Sequence, residues 1–419
     1  PKCQFNRLAF NSFSALLLLF LPMLLFSCSE ENNLSSAGTK GETPDNQPSV
    51  ESLTLIYAVA SNNLESFLKA DTLEMVKAAQ GIDLQRNVVL LYAITRGKNP
   101  SMKRLVRSEK KDKYFFVTVK EYSNDIFSTD PGRVSQVISD ALDFGGDAQS
   151  RGIVFWSHAG GWTFEGSDHV KPGKAPAQRD AIQFAFGQDN SNGTSDKCDI
   201  DELADAIPEG VFNYVWFDCC YMGSVEVAYQ FRNKSPYFIG YPTEIGADGM
   251  PYDETLSLLA TTSPKLVQAA DVLYSYYNGR VPVTVGVYRT DKFPRLARAY
   301  SDAADIRLTN FMNIHNYARR PFGPFYDLGQ LAEAQDAAAP GVFSLIDFKN
   351  ALNDVVLYKA ASELDFSNNR IDASRYSGIT VHHFIDNNSS DSEFYKSLDW
   401  YKATRGIEDH TGVPSVRPD

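Results

Sequence analysis

The sequence has few cysteines, fewer basic than acidic residues, and an N-terminal apolar run too short for a comfortable membrane span. Five cysteines among 419 residues do not make a disulfide framework, which would be denser in cysteine. The 40 lysines and arginines are outnumbered by 52 acidic residues, for a net charge of −12. Because nucleic-acid binders need clustered positive charge to meet phosphates, we expect no nucleic-acid partner. The apolar run at 15–26 is shorter than the roughly 20 residues of a spanning helix.

The N-terminus has the layout of a secretory signal. Lys2 and Arg7 precede the apolar run, and a small residue stands directly before Cys28. The ending Leu25-Phe26-Ser27-Cys28 resembles the bacterial lipobox, in which the cysteine becomes the lipidated first residue of the mature protein. We predict a lipoprotein signal peptide over residues 1–27 and lipidation of Cys28. An ordinary secretory signal with an incidental cysteine is the alternative.

The residues after Cys28 indicate where the protein is held. Ser29-Glu30-Glu31-Asn32 resembles the acidic export tag of surface lipoproteins from Bacteroidota. We therefore expect a location at the outer membrane or cell surface, with the lipid on Cys28 as the membrane anchor. Residues 28–50 are mostly polar and cannot bury apolar surface, which predicts a flexible tether.

Beyond the tether, short apolar runs alternate with amphipathic stretches. This pattern is typical of an α/β fold with a mainly parallel sheet flanked by helices. We predict a core domain over residues 51–290 and a mostly helical C-terminal subdomain over residues 291–419 packed on it. Within that subdomain we expect helices at 309–319 and 348–360, and one strand at 378–384.

Two predicted strands each end beside a potentially reactive side chain. His158 follows the apolar run 152–156, and Cys220 follows the run 213–217. Since the carboxyl ends of parallel strands open into one crevice, neighbouring strands would bring the imidazole and the thiol together. A thiolate attacks a carbonyl carbon, and a nearby imidazole moves the protons. The pair therefore predicts nucleophilic catalysis.

The residues around the pair would supply the other parts of such a site. A helix predicted to begin near Gly223 would favour the thiolate form of Cys220. The turn Ala159-Gly160-Gly161 would present backbone N–H groups to the oxyanion with little side-chain obstruction. Cys219 is expected to be a buried small hydrophobe.

Two segments resemble a known family. Ser157-His158-Ala159-Gly160-Gly161-Trp162 and Asp218-Cys219-Cys220-Tyr221-Met222-Gly223-Ser224-Val225-Glu226 look like the signature segments of the clostripain family of cysteine peptidases. The likeness extends over nearly all of residues 53–405. It implies a caspase-like fold and an endopeptidase with Cys220 as nucleophile and His158 as acid/base partner. The backbone N–H groups of Ala159 and Cys220 would be the oxyanion donors.

The resemblance also implies a substrate class, peptides or proteins cut after Arg or Lys. Family members hold that basic residue with acids at the floor of a pocket, which match Asp218 and Asp248 in this sequence. Many relatives are activated by a cut between the histidine and the cysteine, for which Lys174 is the candidate self-cleavage site. No cofactor is required and no metal site is assigned, although calcium stays open because some relatives use it.

Departures from the family pattern motivate an alternative. Ala159 stands where the family usually has glycine, and a positive φ there would be strained. The stretch Thr243-Glu244-Ile245-Gly246 differs from the acidic-Pro-Gly sequence that the family usually has at this point. The alternative is a non-catalytic surface lipoprotein that binds glycans or host proteins on the same scaffold. The intact His158 and Cys220 pair favours the peptidase.

Overall fold

The computed structural model describes residues 49–108, 110, 113–163, 186–191, 193–318, 324–384, 386 and 388–407. Cys28 and Lys174 lie outside these ranges, as do the predicted signal peptide and nearly all of the predicted tether. The described residues belong to one unit of the chain, Pro48–Asp419. Among them, no helix is both long and apolar enough to cross a membrane.

The described residues form thirteen strands. In chain order these are β1 (Ser52–Val59), β2 (Asn87–Ile94), β3 (Ser101–Ser108), β4 (Lys113–Glu121), β5 (Ser150–Trp156), β6 (Phe186–Asp189), β7 (Asp196–Cys198), β8 (Tyr214–Asp218), β9 (Tyr237–Gly240), β10 (Thr284–Arg289), β11 (Tyr326–Asp327), β12 (Val356–Ala361) and β13 (Thr380–Val381).

Eleven α-helices connect and cover the strands in the described part of the chain. They are α1 (Glu65–Ala78), α2 (Pro131–Gly145), α3 (Ile200–Asp205), α4 (Val225–Gln230), α5 (Tyr252–Leu259), α6 (Leu266–Tyr277), α7 (Phe293–Tyr300), α8 (Leu328–Ala338), α9 (Leu345–Val355), α10 (Ser390–Ser397) and α11 (Asp399–Thr404).

Nine of the strands form one mixed sheet, in the order β12-β10-β9-β8-β5-β1-β2-β3-β4. The five central strands, from β9 to β2, are parallel, and the strands outside them are antiparallel. The predicted α/β fold with a mainly parallel sheet flanked by helices is confirmed. Strands β3 and β4 extend the sheet beyond β2 as a hairpin.

Side chains of the central strands alternate between two apolar cores, one on each face of the sheet. In β8, Val215 and Phe217 join the core that includes α2, α3 and α4, whereas Tyr214 and Trp216 join the core that includes α1, α5 and α6. This alternation follows from the two-residue period of a strand. It separates Asp218 from Cys219, so neighbouring residues at the end of β8 enter different surroundings.

The C-terminal part differs in detail from the sequence-based expectation. The predicted helix 348–360 ends at Val355, and the chain continues as β12, which pairs with β10 at the edge of the main sheet. The expected strand 378–384 shortens to β13, which pairs with β11 instead. No helix forms over 309–318, where the Asn310 and Asn316 side chains accept backbone N–H bonds that compete with a helix. The domain boundaries stay a prediction.

Candidate active site

The sheet register aligns the two predicted catalytic residues. Trp156, the last residue of β5, pairs in parallel with Asp218, the last residue of β8. His158 and Cys220 each come two residues after this pair. Adjacent strands lie about 4.8 Å apart. His158 and Cys220 therefore leave neighbouring parallel strands at the same level, at the carboxyl ends of β5 and β8.

His158 is held through both its backbone and its ring. Its carbonyl accepts the N–H of Gly187 at 2.9 Å, and its Nε2 lies 2.6 Å from Oδ1 of Asn63. Because an amide oxygen only accepts, this contact puts the proton on Nε2 and leaves the lone pair on Nδ1. Burial lowers the pKa of His158, and the charge of Lys197 lowers it further. The imidazole is therefore neutral, and able to take up a proton, at neutral pH.

The loop after β1, which carries Asn63, is fixed by a buried carboxylate. Asp189 is 1% exposed, and its oxygens accept the Ser61 hydroxyl at 2.6 Å and the Ser128 N–H at 2.7 Å. A buried carboxylate with its donors in place is costly to disturb. The network therefore sets the position of Asn63 relative to His158.

The two adjacent thiols have different surroundings. Cys219 is fully buried, and its Sγ donates to the carbonyl of Phe155 at 3.2 Å. Burial raises the pKa of this thiol well above its ordinary value, and the charge of Asp218 adds to the rise. Cys220 is only partly buried, with its Sγ 3.9 Å from the carbonyl of Ile245. Because reactivity requires an accessible thiolate, Cys220 is the thiol that this site can use.

The residue after Cys220 has an unusual backbone conformation. Tyr221 has a φ of 60°, in the left-handed region that residues other than glycine rarely adopt. Its N–H donates to the carbonyl of Thr243 at 2.9 Å, and its ring stacks on Phe325 with centroids 5.1 Å apart. These contacts hold the tight turn between β8 and α4 that presents Cys220. Sequence reasoning gave Tyr221 no role, because no glycine or asparagine marks the position.

The loop after His158 packs against the loop after Cys220. Gly161 has a φ of +73°, and a Cβ placed there would lie 2.8 Å from the Phe325 ring and 3.0 Å from the Tyr221 carbonyl oxygen. Only glycine fits this approach. Ala159 is not among the residues with positive φ, so the alanine brings no backbone strain. The strain that a positive φ would cause at this position does not arise.

Asp218 is buried and well supplied with hydrogen-bond donors. Its carboxylate accepts the Met250 N–H at 2.9 Å and the hydroxyls of Tyr241 and Tyr252 at 2.9 and 3.0 Å. Burial raises the pKa of Asp218, and these three donors act in the opposite direction because they stabilise the charged form. The side chain thus keeps a fixed position at the end of β8, two residues before Cys220.

The turn that carries Asp248 lies directly over Asp218. Gly249 has a φ of +61°, and a Cβ there would come within 2.8 Å of Asp218 Oδ2. Asp248 itself is exposed. The turn follows β9, the neighbour of β8 on the side away from β5. The structure therefore brings the two predicted substrate-binding acids to the same region, close to Trp156 at the end of β5.

A third acid in this region was missed by sequence reasoning. Asp71 on α1 is 2% exposed, and its Oδ2 has no hydrogen-bond partner. Burial raises the pKa of Asp71 to about 9, with further contributions from Asp218 and Glu74, so its carboxyl is neutral at pH 7. The helical spacing from Leu68 to Asp71, on the buried face of α1, is the signal that would have found it.

No group of three or more histidine, cysteine or acidic side chains that would hold a metal ion occurs among the described residues. Asp189 at the end of β6 and Asp196 at the start of β7 both accept protein hydrogen bonds, from the Ser61 and Thr129 hydroxyls respectively.

The comparisons with known proteins agree on one family. The model of the clostripain family matches residues 56–408. A secreted C11 cysteine protease from Bacteroides thetaiotaomicron, solved with an irreversible peptide inhibitor, is 25% identical with a TM-score of 0.68, and the match covers 84% of this chain and 98% of that chain. An inactive zymogen C11 protease from Parabacteroides distasonis is 22% identical with a TM-score of 0.69, covering 85% and 98%. No curated protein gives a significant match.

The family match spans the His158 and Cys220 segments and nearly the whole described fold. The solved structures share the architecture of a mixed sheet flanked by helices. The expected caspase-like fold is thereby confirmed. This chain belongs to the clostripain family and is a cysteine protease.

Proposed function

We propose that this protein is an endopeptidase that cuts after Arg or Lys, with Cys220 as nucleophile and His158 as acid/base. One observation supports the proposal: Trp156 and Asp218, each two residues before a predicted catalytic side chain, pair in parallel at the ends of β5 and β8, and Asp218 is buried there. A carboxylate in that position attracts guanidinium or ammonium. Substrates are therefore peptides or proteins with a basic residue before the cut.

The reaction begins with transfer of the Cys220 proton to Nδ1 of His158. The thiolate attacks the scissile carbonyl carbon, and the oxyanion receives the backbone N–H groups of Ala159 and Cys220. His158 then gives the proton to the departing amine as the C–N bond breaks, which leaves a thioester on Cys220. Water attacks the thioester after losing a proton to His158, and the acid product departs as the thiol is restored.

The test of this function is hydrolysis of short peptide reporters. A reporter that ends in Arg or Lys before the leaving group should be cut, and an otherwise identical reporter that ends in Gln should not. Cleavage of the Gln reporter at an equal rate would show that Asp218 and Asp248 do not select the substrate.

Asn63 is expected to position the His158 imidazole through the 2.6 Å contact with Nε2. Asn63→Ala should lower kcat about tenfold with a smaller change in KM, because the ring loses its fixed orientation. Asn63→Asp should move the acid limb of the kcat/KM profile to higher pH by roughly one unit, since a carboxylate favours the imidazolium. The measurement is the pH profile on an Arg reporter.

The control for this prediction is Asn99→Asp, which places the same new charge on an exposed turn. It should leave the acid limb where it is. An Asn63→Asp profile that coincides with the wild-type profile would mean that Asn63 has a structural role only.

Activation by a cut in the connection between His158 and Cys220 is the second part of the proposal. Lys174 is the candidate site, because the chain there is rich in loop-forming residues and a basic residue suits the enzyme's own specificity. Intact mass of the purified protein should show two fragments divided after Lys174. Cys220→Ala should prevent that cut, and fragments that persist in this variant would point to another protease.

The third part is anchoring to the outer membrane or cell surface through lipid on Cys28. The lipobox-like ending of residues 25–28 supports it. Mass spectrometry of the detergent-extracted protein should find acyl chains at Cys28, and a mature N-terminus elsewhere would contradict the anchor. The proposed reaction requires no cofactor, and the effect of a chelator on reporter cleavage tests the open question of calcium.

A further inference from the structure

Two adjoining cavities, the first of them lined by His158, extend across the ends of β1 and β2. The first, of about 380 Å³, is lined by His158, Gln188 and Asn190 together with Asn62, Asn63 and Arg96. The second, of about 640 Å³, shares Asn62, Asn63 and Arg96 and continues between α1 and strands β2 and β3. We call the two together the leaving-side groove. None of the residues assigned to the Arg or Lys pocket lines it.

The order of the strands, whose carboxyl ends carry the site residues, indicates where the groove lies relative to a bound substrate. The turn with Asp248 follows β9, Cys220 follows β8, His158 follows β5, and Asn63 follows β1, in the order in which these strands lie in the sheet. If the residue before the cut lies at Asp218 and Asp248, the chain passes Cys220 and then His158, which protonates the departing amine. The residues after the cut then point into the groove. This step rests on the proposed function.

The chemistry of the groove indicates what those residues are. Its rim carries Lys69, Arg96 and Lys103 against a single acid, Glu65. Among the described residues, none of these three basic side chains has an ion-pair partner. On a chain with a net charge of −12, such a local excess of positive charge favours an acidic ligand.

The floor of the groove is apolar. It is lined by Leu68, Leu91 and Ala93, and Leu73 adds a side chain that is 66% exposed. An apolar floor with charged residues at its rim is typical of sites that bind a ligand or another chain. We propose that the leaving-side groove binds the substrate segment after the cut, and that it selects acidic residues around an apolar one in that segment.

Fluorescence-quenched peptides test this proposal. Three peptides share the same residues up to an Arg and a following Gly, and then continue with Asp-Leu-Asp, Asn-Leu-Asn or Lys-Leu-Lys. We expect kcat/KM to be about tenfold higher for the acidic peptide than for the basic one, and the difference to shrink as salt rises. A short Arg reporter with a fluorogenic amine in place of these residues provides the reference rate.

The variant that carries the test is the double replacement Lys69→Glu with Lys103→Glu, both on side chains that reach solvent. The ratio of acidic-peptide to short-reporter kcat/KM should fall about tenfold, and the order of acidic and basic peptides should reverse. Lys265→Glu, an exposed lysine outside the groove, should keep the wild-type order.

Three results would overturn the inference, and the first two separate it from the proposed function. Cleavage of the short reporter with equal rates for all three peptides would support the peptidase function and contradict the proposed role of the groove. No cleavage of any substrate, including the short reporter, would contradict both proposals. An unchanged peptide order in the double variant would assign the discrimination to other residues.

Discussion

Cys220→Ala is expected to abolish hydrolysis of Arg and Lys reporters, with a fall in kcat of about 10⁴-fold or more. The reason is that the other two cysteines among the described residues, Cys198 and Cys219, are buried. The change removes a partly buried side chain of modest size, so the fold should persist. Reporter cleavage together with labelling by a thiol-reactive peptide probe is the measurement.

Cys219→Ala is the matched control, because the two cysteines are adjacent in the sequence. The Cys219 thiol is fully buried and bonded to the Phe155 carbonyl at 3.2 Å. Its loss should cost about 1 kcal/mol of stability and leave most of the activity. If Cys219→Ala were inactive and Cys220→Ala active, the assignment of the nucleophile would be reversed.

The parts of the site that sequence predicts are those marked by local pattern. His158 and Cys220 each follow an apolar run, and both runs are strands that pair in the sheet. The strand pattern fixes which residues come at the sheet edge, since a parallel strand must end where its apolar run ends. For this reason the sequence could place the pair without knowledge of the register.

The contacts that orient the pair could not be predicted because they are long-range. Asn63 meets His158 across 95 residues of sequence, and Asp189 meets Ser61 across 128. The sequence around Asn63 indicates only the start of a helix. Nothing local distinguishes an asparagine that merely precedes a helix from one that also receives an imidazole N–H.

The errors in the C-terminal part have the same origin. Residues 356–361 continue the apolar spacing of α9, and only pairing with β10 makes them a strand. Strand β3, in the N-terminal half of the chain, was also not predicted. Its charged side chains, among them Lys103 and Arg107, mask the alternation of apolar and polar residues that marks a strand. In both cases the partner strand decides the conformation.

Asp218→Asn is expected to lower kcat/KM for Arg and Lys reporters about 100-fold. The change removes the buried charge that faces the basic side chain while keeping the shape of the group. The amide oxygen still accepts the Met250 N–H, and the hydroxyls of Tyr241 and Tyr252 can rotate to suit the amide. Reaction of Cys220 with iodoacetamide should continue, which shows that the nucleophile is intact. An equal fall for a Gln reporter would instead indicate a damaged site.

Asp71→Asn tests whether Asp71, the buried acid near Asp218, contributes to substrate binding or only to stability. With a pKa of about 9, Asp71 is uncharged at pH 7, so its replacement should affect basic reporters far less than Asp218→Asn does. Stability should respond instead. The folded pKa is raised above the unfolded value of about 4, so the folded state binds the extra proton and the free energy of unfolding falls as pH rises between about 4 and 9. The Tm gain of Asp71→Asn over the wild type should therefore grow from pH 5 to pH 8, and a constant difference would show that Asp71 ionises freely in the folded protein.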